Sequence, residues 1–138
     1  MFDHCLYFNT SALARLLERE WVHAFKPFGL TPPQAFMLRV VLEKPLLLQS
    51  ELANELTISR PTATRTLDGL QKLKLVERRS TDSDGRQYAI YPTAKAEAIK
   101  DQINLASADV TKRLKKSLGA AHFDEVVAYV RGVRAALV

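Results

Sequence analysis

Five side chains bearing hydroxyl or guanidinium groups fall within the seven residues "SRPTATR": Ser59, Arg60, Thr62, Thr64 and Arg65. Short hydroxyl side chains let a backbone approach a phosphate closely, and a hydroxyl or a free N–H at a helix start can donate to its oxygens. Arginine is long enough to reach a base edge, where guanine presents two acceptors to a guanidinium. Residues of these types at this spacing suit a surface that meets nucleic acid. They are poor choices for helix stability, because threonine ranks below glutamate and lysine in helix propensity. Yet Ala63, Leu67, Leu70 and Leu73 recur through the same stretch at helical spacing. A helix with one packing side and one side of hydroxyls and cations reconciles the two. On that wheel Pro61, Thr64, Arg65, Asp68 and Lys72 lie opposite the apolar residues.

A second cluster follows in "TDSDGRQ". The runs on either side, "LVERRS" and "QYAIYP", alternate as strands do, and Asp and Gly between them are turn formers, so a hairpin is expected with Arg86 just past its turn. An arginine there suits the narrow, electronegative minor groove of DNA. Asp82 and Asp84 would repel phosphate; their expected role is to hold the hairpin's shape and orient an arginine through a charge-assisted pair. Arg78 and Arg79 fall on opposite faces of one strand, so at most one of them is well placed for a phosphate.

The elements that must position these groups can be read from periodicity and caps. Residues 6 to 26 carry Leu6, Leu13, Leu16, Leu17, Trp21, Val22 and Phe25 at three- and four-residue steps, a helix that "KPFGLTPPQ" interrupts. Thr31 caps the next helix, with Pro32 and Pro33 in its first turn, and the pattern runs to Lys44-Pro45. Leu46 to Leu48 is too brief for a helix and reads as one strand. "SELANEL", residues 50 to 56, is a short helix, and "TIS" a tight turn. Ser59 then caps a helix expected to reach about Lys74, with Ile58 placed to staple back onto Ala63. Thr93 caps a long helix bearing Ile99, Ile103, Ala106, Val110, Leu114 and Leu118, and Gly119 separates it from a last helix with Phe123, Val126, Val127, Val130, Val133 and Leu137. The expected fold is mainly α with a small β-hairpin: a winged helix-turn-helix lobe at 31–92, flanked by helical regions at 1–30 and 93–138. The stripe on the long helix, at near-heptad spacing, is more than a domain of this size covers alone. A second copy would bury it.

Composition narrows the function classes. With 47% hydrophobic and 25% charged residues the chain reads as one soluble globular domain, and no stretch approaches the roughly 20 apolar residues of a membrane span. The start, "MFDHCLYFNT", has neither a basic nor an apolar signal region, so a cytoplasmic location is expected. One cysteine excludes an intramolecular disulfide. The net charge is +5, and the excess begins at residue 59: residues 1–58 hold 5 basic and 6 acidic side chains, residues 59–91 hold 7 and 4, and residues 92–138 hold 8 and 5. That balance fits a polyanionic partner. His4, His23 and His122 are far apart, and there is no phosphate-binding loop, dinucleotide fingerprint or nucleophile elbow. Neither an enzyme nor a bound metal or cofactor is expected.

Taken together, these residues resemble the MarR family of bacterial transcription regulators. "GLTPPQAFML" is similar to the family's second-helix opening, "SELANELTISRPTATRTLDGLQKLKLVERR" to its helix-turn-helix, and "DSDGRQYAIYPTAKA" to its wing and the following helix. The chain departs from the family in reading Pro92-Thr93-Ala94-Lys95-Ala96 where a Leu-Thr and a glycine are usual. The resemblance implies a homodimer with intertwined terminal helices. Such a dimer would bind a pseudopalindromic operator on double-stranded DNA, as a repressor, through Ser59, Arg60, Thr62, Thr64, Arg65 and Arg86. It further implies release by a small aromatic or phenolic ligand held between the terminal helices and the winged helix. Trp21, Phe25, Phe28, Phe36 and Met37 can line such a pocket or equally form core.

Cys5, in "CLYFNTSALARL", resembles the sensing cysteine of the family's organic-hydroperoxide subgroup, whose oxidation would release DNA instead. That subgroup's tyrosine positions are Pro32 and Ala35 here, which removes the expected hydrogen-bond donors to a thiolate, and a free cysteine packed as a small hydrophobe is the plainer alternative. The rival function is a winged helix used for protein contact without specific DNA binding.

Overall fold

The computed structural model describes residues 1–81 and 87–138. In chain order it consists of helix α1 (Leu6–Phe25), a 3₁₀ turn (Lys26–Phe28), helices α2 (Pro32–Glu43), α3 (Gln49–Leu56) and α4 (Arg60–Lys72), strands β1 (Val76–Ser80) and β2 (Tyr88–Pro92), and helices α5 (Ala94–Leu118) and α6 (Ala120–Ala136). The expected fold class holds: a helical protein with one antiparallel hairpin, arranged as a winged helix-turn-helix.

Local chemistry sets the helix starts. Thr31 Oγ1 accepts from the Gln34 N–H at 3.3 Å while Gln34 Oε1 accepts from the Thr31 N–H at 3.0 Å, a reciprocal box that satisfies two orphan donors. Ser59 caps α4 and Thr93 caps α5, each accepting a backbone N–H three residues on at 3.3 Å. Thr93 also donates to the Lys74 carbonyl at 2.7 Å, so one side chain fastens the end of the helix-turn-helix to the start of α5. Between α3 and α4 the chain reverses through Thr57 at φ 57°, a left-handed position that a β-branched residue occupies only under tertiary constraint.

Two expectations need adjustment. Helix α4 stops at Lys72 rather than Lys74, because Lys74 turns left-handed at φ 59° and leads directly into β1. Leu46 to Leu48 is not a strand of its own: Leu48 forms a single bridge to Ala89, supported by hydrogen bonds between Leu46 N–H and Ile90 C=O and between Ile90 N–H and Leu47 C=O. Leu46 takes a left-handed φ of 77°, which breaks the extended run.

The core gathers around α2, whose Ala35, Met37, Leu38, Val41 and Leu42 are all buried. Ala63, Leu67 and Leu70 of α4, Leu52 and Ala53 of α3, and Val76 and Ile90 of the hairpin close over it, with Ile103 of α5 and Phe25 of α1 on the other side. The long-helix stripe divides: Ile103 and Val110 are buried within this chain, whereas Leu118 is half exposed. Much of the uncovered apolar surface lies instead on α1 and α6. Leu6, Leu13 and Leu16, and Val127, Val130 and Val133, are all exposed, and α6 contributes no buried residue.

Because Leu67 is fully buried where α4 meets the core, Leu67→Ala removes contacts that neighbours cannot fully replace. Urea unfolding at fixed protein concentration should show a loss of about 2 to 5 kcal/mol with an unchanged slope.

Candidate nucleic-acid interface

Helix α4 presents its buried ridge inward, and this fixes what remains outside. Ser59, Arg60, Thr64 and Arg65 are exposed, with Thr62 half-buried at the first turn. The hydroxyls are already engaged. Ser59 Oγ donates to Thr62 Oγ1 at 2.9 Å while it caps the Thr62 N–H. Thr64 Oγ1 donates to the Arg60 carbonyl at 3.0 Å and accepts from Gln49 Nε2 at 2.9 Å. A hydroxyl has one hydrogen, and without DNA those of Ser59 and Thr64 are both engaged within the protein. The two arginines keep their capacity. Arg65 gives one N–H to Thr62 Oγ1 at 3.3 Å, and among the described residues Arg60 makes no side-chain hydrogen bond.

The strand arginines sort as alternation requires. Arg78 turns onto α4, donating to Asp68 Oδ1 at 2.8 Å and to Gln71 Oε1 at 2.6 Å. Asp68, expected on the open polar side, is therefore the anchor that ties the hairpin to α4. Arg79 lies on the other face, paired with Glu77 at 3.0 Å and stacked over the Tyr91 ring at 3.9 Å. Asp82, Asp84 and Arg86 lie outside the described residues. The described foot of the wing closes with the Thr81 N–H donating to the Gln87 carbonyl at 3.2 Å.

Behind this face, an open apolar groove of about 660 Å³ runs between α1, α2 and the start of α4. The five residues considered for a pocket divide. Trp21 and Phe36 line the groove, together with Leu17, Pro32, Ile58 and Thr62. Phe25 and Met37 are fully buried core, and Phe28 packs against that core. Beside the groove Arg39 crosses from α2 to α5, its Nε donating to Asn104 Oδ1 at 2.8 Å and a terminal nitrogen to Ser107 Oγ at 3.0 Å. Trp21 Nε1 donates to the same Ser107 oxygen at 3.1 Å, and the Arg39 guanidinium sits 5.0 Å from the Phe36 ring centre. Burial pushes the Arg39 pKa below its ordinary value, since no carboxylate pairs with it among the described residues.

Ser107 and Arg39 escaped the sequence reading although each left a trace. Ser107 stands four residues after Ile103 and three before Val110, on the buried stripe of α5. Arg39 is the lone charge within the apolar run "AFMLRVVL". Cys5 is exposed at the N-cap of α1, where its sulfur accepts from the Phe8 N–H at 3.5 Å.

A family model described as the MarR family matches residues 28–87, the span from the approach to α2 to the foot of the wing. Over that span the chain is similar to the MarR family. The HTH-type transcriptional regulator MgrA of Staphylococcus aureus is 26% identical over 113 residues, covering 73% of this chain and 77% of that protein. Among solved structures, the transcriptional repressor CouR bound to a 23-mer DNA duplex superposes with a TM-score of 0.88 at 25% identity, over 96% of this chain and 94% of that one. The S. aureus MepR–DNA complex shares the fold at 17% identity, with a TM-score of 0.86 over 99% of this chain and all of that one. No helix among the described residues is long and apolar enough to cross a membrane. MgrA and CouR are a transcriptional regulator and a transcriptional repressor, not enzymes.

The Arg78–Asp68 pair is testable without DNA. Arg78 is mostly covered but Asp68 is half exposed, so screening limits the pair, and a double-mutant cycle of Asp68→Asn with Arg78→Gln should return a coupling of about 1 kcal/mol in urea unfolding.

Proposed function

We propose that this chain is a MarR-type regulator, a cytoplasmic homodimeric repressor whose two winged helices read a pseudopalindromic operator with half-sites about one helical turn apart. The 31–92 lobe meets DNA and the 1–30 and 93–138 regions hold the dimer together. The observation that carries the reading is the first two turns of α4, where Arg60 and Arg65 stand exposed over a row of side chains too short to block a groove. In this reading Ser59, Thr62 and Thr64 shape the helix start, and Arg86 serves the minor groove. The likeness to a repressor bound to a DNA duplex, and to a second fold solved as a DNA complex, supports it. The homodimer is supported by the exposed apolar faces of α1 and α6, which include Leu16 at 56% and Tyr129 at 76% exposure. Surfaces of that kind on a helical protein mark association.

Release by a small aromatic ligand is supported by the groove, because Trp21 and Phe36 stand on the terminal-helix and winged-helix sides of it and Thr62 reaches it from the first turn of α4. A ligand there would press on the recognition helix directly. Cys5 supports a second signal, oxidation, since its thiol is exposed and an oxidant can reach it.

Phosphate contacts release counterions, so affinity for DNA upstream of the protein's own gene, or for a duplex selected from a random pool, should fall steeply between 50 and 200 mM salt. Absence of any sequence-specific binding at low salt would leave the protein-contact reading standing in its place. Arg65→Ala should cost about 1 to 3 kcal/mol of operator affinity and relax the preference at one base.

The release signal is decided by repeating the titration with hydroperoxide. If Cys5 is the sensor, wild type loses the operator and Cys5→Ser keeps it. If both proteins keep it, release falls to a ligand in the groove.

A further inference from the structure

We infer that Thr64 reads thymine through its methyl group, and that Gln49, the first residue of α3, is the positioning residue that makes it do so. The inference rests on the DNA-facing role proposed above for the start of α4. In a helix threonine divides between two χ1 rotamers, because its hydroxyl can bond to a carbonyl in the preceding turn. Alone, Thr64 would therefore offer a groove sometimes a hydroxyl and sometimes a methyl. Here its single hydroxyl hydrogen goes to the Arg60 carbonyl at 3.0 Å, and the Gln49 amide, reaching across from the preceding helix, donates to the same oxygen at 2.9 Å. A hydroxyl held from both sides has no hydrogen for a phosphate or a base acceptor.

What Thr64 retains without a polar commitment is its methyl group. Among the groups that base pairs show in the major groove, the apolar one is the C5 methyl of thymine. The setting suits this contact. Gln49, Arg60 and Thr64 line a cleft of about 480 Å³ between α3, the start of α4 and the foot of the hairpin, where Tyr88 forms the far wall. Gln49 is half-buried there, and Thr64 is exposed. The hydroxyl at position 64 is thus a structural group facing α3, and the readout at that position is apolar.

The test uses full-length protein and a duplex that wild type selects from a randomised pool, resynthesised with deoxyuridine in place of each thymine in turn. Wild type should lose about fourfold in affinity at one thymine per half-site, the size of one methyl group withdrawn from apolar contact. Thr64→Val keeps the methyl and should keep that loss at the same position. Thr64→Ser keeps the hydroxyl alone and should bind the thymine and deoxyuridine duplexes equally. Gln49→Ala frees the second rotamer and should shrink the loss to less than about twofold, a change in preference that a merely destabilised helix would not produce.

A pool that enriches no sequence overturns the DNA-reading function itself. An enriched duplex in which no single deoxyuridine matters, or a Thr64→Ser protein with the wild-type preference, overturns the assignment to Thr64 while DNA binding stands. Preference lost in Thr64→Ser but intact in Gln49→Ala removes Gln49 from the mechanism.

Discussion

The burial of Ala63, Leu67 and Leu70 against α2 is the constraint from which the rest of the winged helix follows. A helix has one set of positions to bury, so fixing that ridge also fixes which residues of α4 stand outside. The closeness of the packing shows at Gly69, where an added Cβ would lie 2.6 Å from Gln34 Nε2. That amide is no free end, because its Oε1 closes the capping box on Thr31. A mid-helix glycine, unfavourable by about 0.5 to 1 kcal/mol relative to alanine, is therefore explained by the approach of α4 to the start of α2. The cap that begins one helix and the packing of another are the same contact.

On the outside of α4, hydroxyls and cations have separate tasks. Ser59, Thr62, Thr64 and Thr66 turn their oxygens back on the helix or on α3, which is the usual cause of threonine's weak helix propensity and here becomes a means of holding the first turns rigid. Among the described residues Arg60 and Arg65 keep nearly all their donors. A rigid start with free guanidinium groups limits the conformational entropy lost when those groups are ordered by a partner. The wing is brought into the same frame by Arg78, which spans β1 to α4 through both Asp68 and Gln71.

Which parts of this were legible in the sequence follows from the range of the interactions. Thr31, Ser59 and Thr93 each act on a backbone group three residues away, and the caps were readable for that reason. The alternation around the hairpin and the ridge of α4 were equally local. Arg78–Asp68 spans ten residues, and Arg39–Ser107 and Trp21–Ser107 span 68 and 86; no periodicity in one strand or helix announces such a partner. Leu46 to Leu48 misled in the opposite sense. Its composition is that of a strand, but a left-handed Leu46 leaves a single bridge at Leu48. The apolar stripe of the long helix is legible, but periodicity identifies a face without saying which chain covers it: Ile103 and Val110 are buried within this chain and Leu118 is half exposed.

The junction of α1, α2 and α5 differs in kind from the rest of the core. There a tryptophan, an arginine and an asparagine meet on or beside one serine hydroxyl, and among the described residues the arginine's charge is met by neutral oxygens and an aromatic ring. A junction of close-packed leucines shifts only by opening a dry cavity, at about 24 cal/mol for each Å³ left behind. A junction held by hydrogen bonds can exchange partners, including water, at a smaller net change, because a typical bond contributes only about 0.5 to 1.5 kcal/mol once its alternatives are counted. The polar contact therefore sets this junction apart from the apolar core that Phe25 and Ile103 share with α2 and α4. Phe36 belongs to that junction and to the apolar groove beside it, so one ring both lines the groove and covers Arg39.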